Sequence, residues 1–171
     1  IEIAVMLMGD AEGLTRGWEM SLLDSLVFAG CILGMLGFGY VGDLVGRVAG
    51  LRAACFVSIF GVVASSATPM DTEVEVAVVL CAARFVLGVG IGGVYPLAAA
   101  LAYERGDGED VGELSVAAAN FGQPCGVLCL YASAFAIYET PGLDSGARWR
   151  SMLLVGAVPF ALALVLADGL P

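Results

Sequence analysis

Val76 to Tyr103 reads VAVVLCAARFVLGVGIGGVYPLAAALAY, and the reading of this run decides the fold. It is longer than the ~20 residues a helix needs to cross a bilayer, and Arg84 is its one charge. Gly88, Gly90, Gly92 and Gly93 sit in its middle, followed by Pro96. In a water-exposed helix each Gly would cost about 1 kcal/mol and the Pro about 3. Within a bilayer the backbone has no water to turn to, and small residues let neighbouring helices approach closely. The run is expected to cross a membrane, packed against other helices, with a buried arginine as its functional mark.

The same residues match G-x-G-x-x-G, a fingerprint of dinucleotide binding. That pattern carries meaning only between a strand and a helix of a βαβ unit. Here the flanks are apolar for many residues in both directions, so the nucleotide reading is set aside.

Composition agrees with a lipid solvent. Of 171 residues, 60% are hydrophobic and 14% charged, where soluble domains carry about 25% charged residues. Acids outnumber bases 17 to 7, giving a net charge of -10, and the acids gather in short connections. No Lys or His occurs, which removes histidine catalysis, histidine metal ligation and a lysine-rich nucleic-acid face. Cys31, Cys55, Cys81, Cys125 and Cys129 lie in apolar runs and read as small buried residues of helices. Neither cofactor nor metal is implied. No Ser or Cys nucleophile is paired with a base, so an enzyme is not expected.

Outward from the opening run, apolar segments alternate with short polar ones. Ile1 to Gly9 is too short to span and reads as the tail of a first helix, so a fragment is expected. Asp10 to Ser21 connects it onward, with Trp18 suited to the membrane interface. Leu22 to Val41 is a span whose Gly30, Gly34 and Gly37 offer small packing faces, broken only by Asp24. Gly42 to Arg52 reads as a turn, Ala53 to Met70 as a span, and Asp71, Glu73 and Glu75 as an acidic connection. Beyond the opening run come a charged loop from Glu104 to Glu113, a span from Leu114 to Tyr138, and a last span from Ser151 to Ala167. Connections this short make consecutive helices antiparallel neighbours in one bundle over residues 1–171. Arginines divide evenly, with Arg47, Arg52 and Arg105 on one side and Arg16, Arg148 and Arg150 on the other, so charge bias does not orient it.

Gly39-Tyr-Val-Gly-Asp43-Leu-Val-Gly46-Arg47 resembles the G-x-x-x-D-x-x-G-R signature of the major facilitator superfamily of secondary transporters. Val48 stands where that family has a further basic residue, and Arg52 partly substitutes. Arg84-Phe-Val-Leu-Gly88 is similar to the superfamily's fourth-helix motif, and Gly122-Gln-Pro124-Cys-Gly126 is a looser likeness to its fifth-helix motif. GVGIGGVYPLAAALAYE resembles the proton-coupled phosphate symporters through Tyr95, Pro96, Leu97 and Glu104. There Val94 replaces the family's acid, which puts phosphate in doubt. SLVFAGCILGMLGFGYVGD and the opening around Glu2 also resemble the synaptic-vesicle-glycoprotein-like and organic-ion branches.

The resemblance implies an all-α membrane protein: the N-terminal half of a twelve-helix bundle, with five complete transmembrane helices and a truncated first one. It implies a secondary carrier of a small polar or anionic solute, phosphate or an organic ion, working by alternating access. Its partners are the lipid bilayer, the solute and the missing C-terminal six-helix half, with no nucleic acid. The Asp43/Arg47 loop then faces the cytoplasm. The rival is a transporter-like membrane sensor or vesicle protein that moves nothing.

Charges in hydrocarbon face a cavity or a partner. Arg84 attracts an anion or forms an ion pair with no substrate contact. Glu2 is a candidate proton-coupling carboxylate, or an exposed end of the fragment. Asp43, Gly46, Arg47 and Glu104 sit at helix ends as a gate that locks and releases, or as ordinary end caps. Asn120 and Gln123, the amides of the fifth run, are expected to face the bundle interior, toward substrate or another helix. Tyr95 and Tyr131 line the cavity or pack as aromatics.

Overall fold

In the computed structural model, residues 17–67, 73–104, 106, 109–140, 142 and 144–168 are described. Their secondary structure is six helices: α1 (Gly17–Val45), α2 (Arg47–Ser66), α3 (Glu73–Glu104), α4 (Glu109–Tyr138), α5 (Ser145–Val155) and α6 (Val158–Asp168). Five segments are long and apolar enough to cross a membrane, the fifth being α5 and α6 together. Glu2 and the segment around it, the polar connection up to Arg16, Thr68-Pro69, Asp71 and Arg105 lie outside the described residues, as does the side chain of Trp18.

Helix boundaries depart from the expected spans for physical reasons. The turn expected over residues 42–52 shrinks to Gly46 alone. Gly46 sits at φ 103°, a left-handed conformation that glycine adopts without a side-chain penalty. Its N–H still donates to the Gly42 carbonyl at 3.1 Å, and its own carbonyl accepts from Gly50 at 3.0 Å. The acidic connection at Glu73 and Glu75 is absorbed into the first turn of α3, and Glu109, Asp110 and Glu113 into the start of α4. Carboxylates are favoured there by the unpaired N–H groups and the positive end of the helix dipole. At the other end of the expected third span, α2 stops at Ser66, where the Ala67 N–H returns to Val63.

The last span starts earlier than expected and is broken. Gly156 and Ala157 form a turn between α5 and α6, with their N–H groups bonded to Leu153 and Leu154 at 2.9 and 3.0 Å. Pro159 follows. It has no N–H to return to the Val155 carbonyl, and its ring crowds that carbonyl, so the helix is interrupted just ahead of it.

α3 is the axis of the assembly, packed most extensively against α1 and then α2. The most extensive contact thus joins two helices that are not consecutive, α1 and α3, with the consecutive pair α2 and α3 second. The tightest pair, α1 and α3, runs parallel: Val27 lies against Gly88, Cys31 against Gly92 and Gly42 against Leu97. Two small-xxx-small faces produce this approach, Gly30 with Gly34 and Gly88 with Gly92, each meeting backbone of the opposing helix. On its other side α3 runs antiparallel to α2, with Gly90 against Ser58 and Gly61 against Leu87. Gly37, expected to join the packing face, is exposed and has nothing near it among the described residues.

Apolar contacts close the two ends of this assembly. Leu23, Leu80, Trp149 and Met152 form one core, and Leu51, Ala54, Cys55 and Leu97 the other. α4 is the outlier, with most of its surface exposed. Cys125 and Cys129, read as buried from the sequence, are exposed on it, because only α3 and α5 touch α4 to any extent.

A side chain at Gly92 would meet the Cys31 backbone, with Cα only 2.7 Å from the new Cβ. Gly92→Val is therefore expected to destabilise the detergent-solubilised protein by about 2–3 kcal/mol, the upper range for overpacking. Gly37→Val, entering open space, is expected to stay within about 0.5 kcal/mol of the parent. Thermal unfolding followed by size-exclusion chromatography checks both.

Candidate substrate cavity and gate cluster

Midway along α3, between the two apolar cores, lies a cavity of about 510 Å³. Its α3 wall consists of Arg84, Leu87, Ile91 and Tyr95, spaced three or four residues apart and so on one helical face. Gln123 and Tyr131 of α4 stand on another wall, and the Gly156 turn with Pro159 and Phe160 on a third. The lining is mostly apolar, with a few polar groups converging, the general form of a small-molecule site.

Arg84 dominates it. Its side chain has 0% exposure, and none of its three guanidinium nitrogens has a hydrogen-bond partner among the described residues. A buried cation without partners is strongly disfavoured. Asp24 on α1 acts on it electrostatically, and no ion pair joins them.

The other sequence-derived candidates separate. Tyr95, Gln123 and Tyr131 all line the cavity with Arg84. Asn120 does not: it lies about 4.5 Å further along α4, at 1.5 Å per residue, and is exposed. The expectation that it faces the interior is not met: its side chain is exposed among the described residues. Glu2 lies outside the described residues. Val94 does not line the cavity but packs on the core around Leu97. The broken helix at Gly156 was missed from sequence, although Gly-Ala-Val-Pro in an apolar run signals an interruption.

At the far end of α3 the gate candidates meet. Arg47 pairs with Asp43 at 2.9 Å, one turn earlier on α1, and with Glu104 of α3 at 3.2 Å. Gly46 separates Asp43 from Arg47, so its left-handed turn brings acid and base together across the helix break. Arg52 does something the sequence did not suggest: its guanidinium donates to the Ala167 carbonyl at 2.7 Å, tying α2 to the end of α6. Cation and carbonyl complement each other there, since a helix C-terminus carries negative partial charge.

The family model described as "Sugar (and other) transporter" matches residues 11–170. The chain belongs to that family. It is accordingly an integral, multi-pass membrane protein of the major facilitator superfamily and not an enzyme. It is 35% identical over 146 residues to "Inorganic phosphate transporter PT2" of Toxoplasma gondii, covering 83% of this chain and 25% of that protein. It is 32% identical over 167 residues to "Probable inorganic phosphate transporter 1-10" of Oryza sativa subsp. japonica, covering 90% and 30%. Its fold matches the proton:xylose symporter XylE bound to 6-bromo-6-deoxy-D-glucose, with a TM-score of 0.84 at 18% identity, over 98% of this chain and 39% of that one. An inward-open form of XylE from E. coli matches equally, at 0.84 and 19% identity, over 98% and 42%. The match is to the N-terminal half of the transporter fold, and the chain spans well under half the length of any of these proteins.

The two arginine contacts differ in kind. Arg47 and its partners are partly exposed, which limits such pairs to about 0–1 kcal/mol. Arg52 makes a part-buried, charge-assisted bond, of a type that contributes about 1.5–3 kcal/mol. Arg52→Met is thus expected to lower unfolding stability in detergent clearly more than Arg47→Met, a ranking that denaturant titration reads directly.

Proposed function

We propose that this chain forms part of a secondary active carrier that moves a small anion, inorganic phosphate foremost, by alternating access. One observation carries the reading. A wholly buried guanidinium, unbonded among the described residues, lines an otherwise apolar cavity beside Tyr95, Gln123 and Tyr131. An anion neutralises that charge. A neutral sugar would fill the space and leave a bare cation in low dielectric. Tyr95, Tyr131 and Gln123 supply hydroxyl and amide donors that suit phosphate oxygens. The names of the similar phosphate transporters point the same way, whereas the family's description and the xylose-transporter fold point to sugars.

Proton coupling belongs to the same proposal, with Glu2 as the carboxylate. Among the described residues the cavity wall offers no acid, and Val94 stands where the phosphate symporters place one. The Asp43, Gly46, Arg47 and Glu104 cluster is assigned as a latch at one mouth: it closes through two ion pairs and opens when the residues at this end of α1, α2 and α3 turn away from one another, the deeper helix contacts staying in place. One half of such a carrier supplies one wall of the site, so the missing half completes it.

Uptake of radiolabelled phosphate by the full-length protein in vesicles, with and without a pH gradient, tests this. Saturable phosphate uptake that xylose does not compete is expected. Arg84→Gln is expected to lower kcat/KM for phosphate by about 10–100-fold, the loss of a charge-assisted bond worth about 1.5–3 kcal/mol. Uptake of xylose in place of phosphate would overturn the anion assignment, and no flux of any solute would favour the sensor.

A further inference from the structure

We propose that Asp24 is the resident counter-charge of Arg84, facing the guanidinium when the cavity is empty and competing with an anion for it. This rests on the anion reading above and adds the group that makes binding reversible.

The helix register places the two residues together. α1 and α3 run parallel, Leu23 and Leu80 share one apolar core, and Val27 lies against Gly88. Asp24 therefore stands level with the α3 turn between Leu80 and Gly88, which contains Arg84. Helical side chains lean toward the N-terminus, so the long Arg84 side chain reaches back toward the Leu80 layer and Asp24. Asp24 is half-buried, lies within a membrane-crossing segment, and acts electrostatically on Arg84. No ion pair or hydrogen bond joins the two, so each charge biases the other across a gap.

Such an arrangement solves a problem that a carrier faces. A guanidinium with no counter-charge in a low-dielectric site would hold an anion too tightly to release it, and would strain the empty protein. A guanidinium locked in a bonded pair would not yield to an anion. A carboxylate at a distance lies between these extremes: it partly neutralises Arg84 when the cavity is empty and repels the bound anion, which favours release. Asp43 and Glu104 cannot substitute, since Arg47 holds both at the end of the bundle. Among the described residues, none lining the cavity is acidic.

Equilibrium phosphate binding and phosphate-dependent thermal stability of the detergent-solubilised full-length protein test the assignment. Asp24→Asn is expected to tighten the phosphate Kd about tenfold, the scale of one unit charge acting from about 12 Å at an effective dielectric near 20. Its maximal transport rate is expected to fall, because release slows. Without phosphate the variant is expected to melt earlier than the parent, and saturating phosphate to repair the deficit. Asp24→Glu keeps the charge and is expected to restore parental affinity. An unchanged or weaker phosphate Kd in Asp24→Asn, or a loss of melting temperature that phosphate does not repair, would assign Asp24 a merely structural role. If the parent binds no phosphate, the anion reading fails first and takes this inference with it; parental binding with an indifferent Asp24→Asn sinks this inference alone.

Discussion

Everything in this fold hangs on the backbone-to-backbone approach of α3 to the helices on either side. Lipid offers no hydrophobic drive to bring helices together, so association depends on close van der Waals contact. Gly88 and Gly92 admit α1 on one face of α3, and Gly90 admits α2 on another. Those contacts fix the rotation of α3 about its own axis. With two faces committed, the remaining one must carry Arg84, Leu87, Ile91 and Tyr95, and that face is the cavity wall. A charge that would be ruinous against acyl chains is thereby aimed into the cavity. The glycines and the arginine belong to a single design, the first setting the angle at which the second points.

Much of this was legible in the sequence, because long apolar blocks have few physical interpretations at this length. The crossings and the inward arginine follow from residue type and spacing, whereas Asp43, Arg47 and Glu104 are singled out through the family resemblance and their pairing is read from the structure. Helix ends were less legible. Glu73, Glu75 and Glu109 look like loop residues, yet a helix N-terminus welcomes carboxylates, so polarity alone misplaces the boundary. Gly37 shows a deeper limit. It follows Gly34 at helical spacing, but at that level Phe38 packs on Gly93 and occupies the seam. Which glycine of a periodic set is used depends on the opposing helix, and one helix's sequence does not contain that information. Asn120 is exposed while Gln123, three residues later, lines the cavity, since the turn of α4 that faces the cavity is chosen by what α4 leans upon.

The interrupted last span adds a feature that apolar composition conceals. Pro159 deprives the Val155 carbonyl of its usual helical donor, and the Gly156 turn beside it borders the cavity. Irregular backbone at membrane depth is tolerated where it lines a cavity and not where it meets lipid. The break thus borders the same cavity as Arg84 and brings backbone dipoles to a wall poor in polar side chains. Arg52 steadies the far end of this segment through the Ala167 carbonyl, so the distortion is confined between a fixed end and the Trp149 core.

A latch must be weaker than the structure it latches. The buried contacts of α3 with α1 and α2 bring backbone atoms of neighbouring helices into close approach, so separating them is costly. The Arg47 pairs are of a different order. Partly exposed and close to water, they bias a population by a factor of a few and do not trap it. Gly46 beside them adopts a conformation costly to other residues and has nothing near it that a small rotation would strike. Close backbone contacts deep in α3 and weak, partly exposed pairs at its end therefore divide by depth. On the proposed reading, the first hold the cavity's shape and the second leave the mouth free to change, the division that alternating access would ask of a single half.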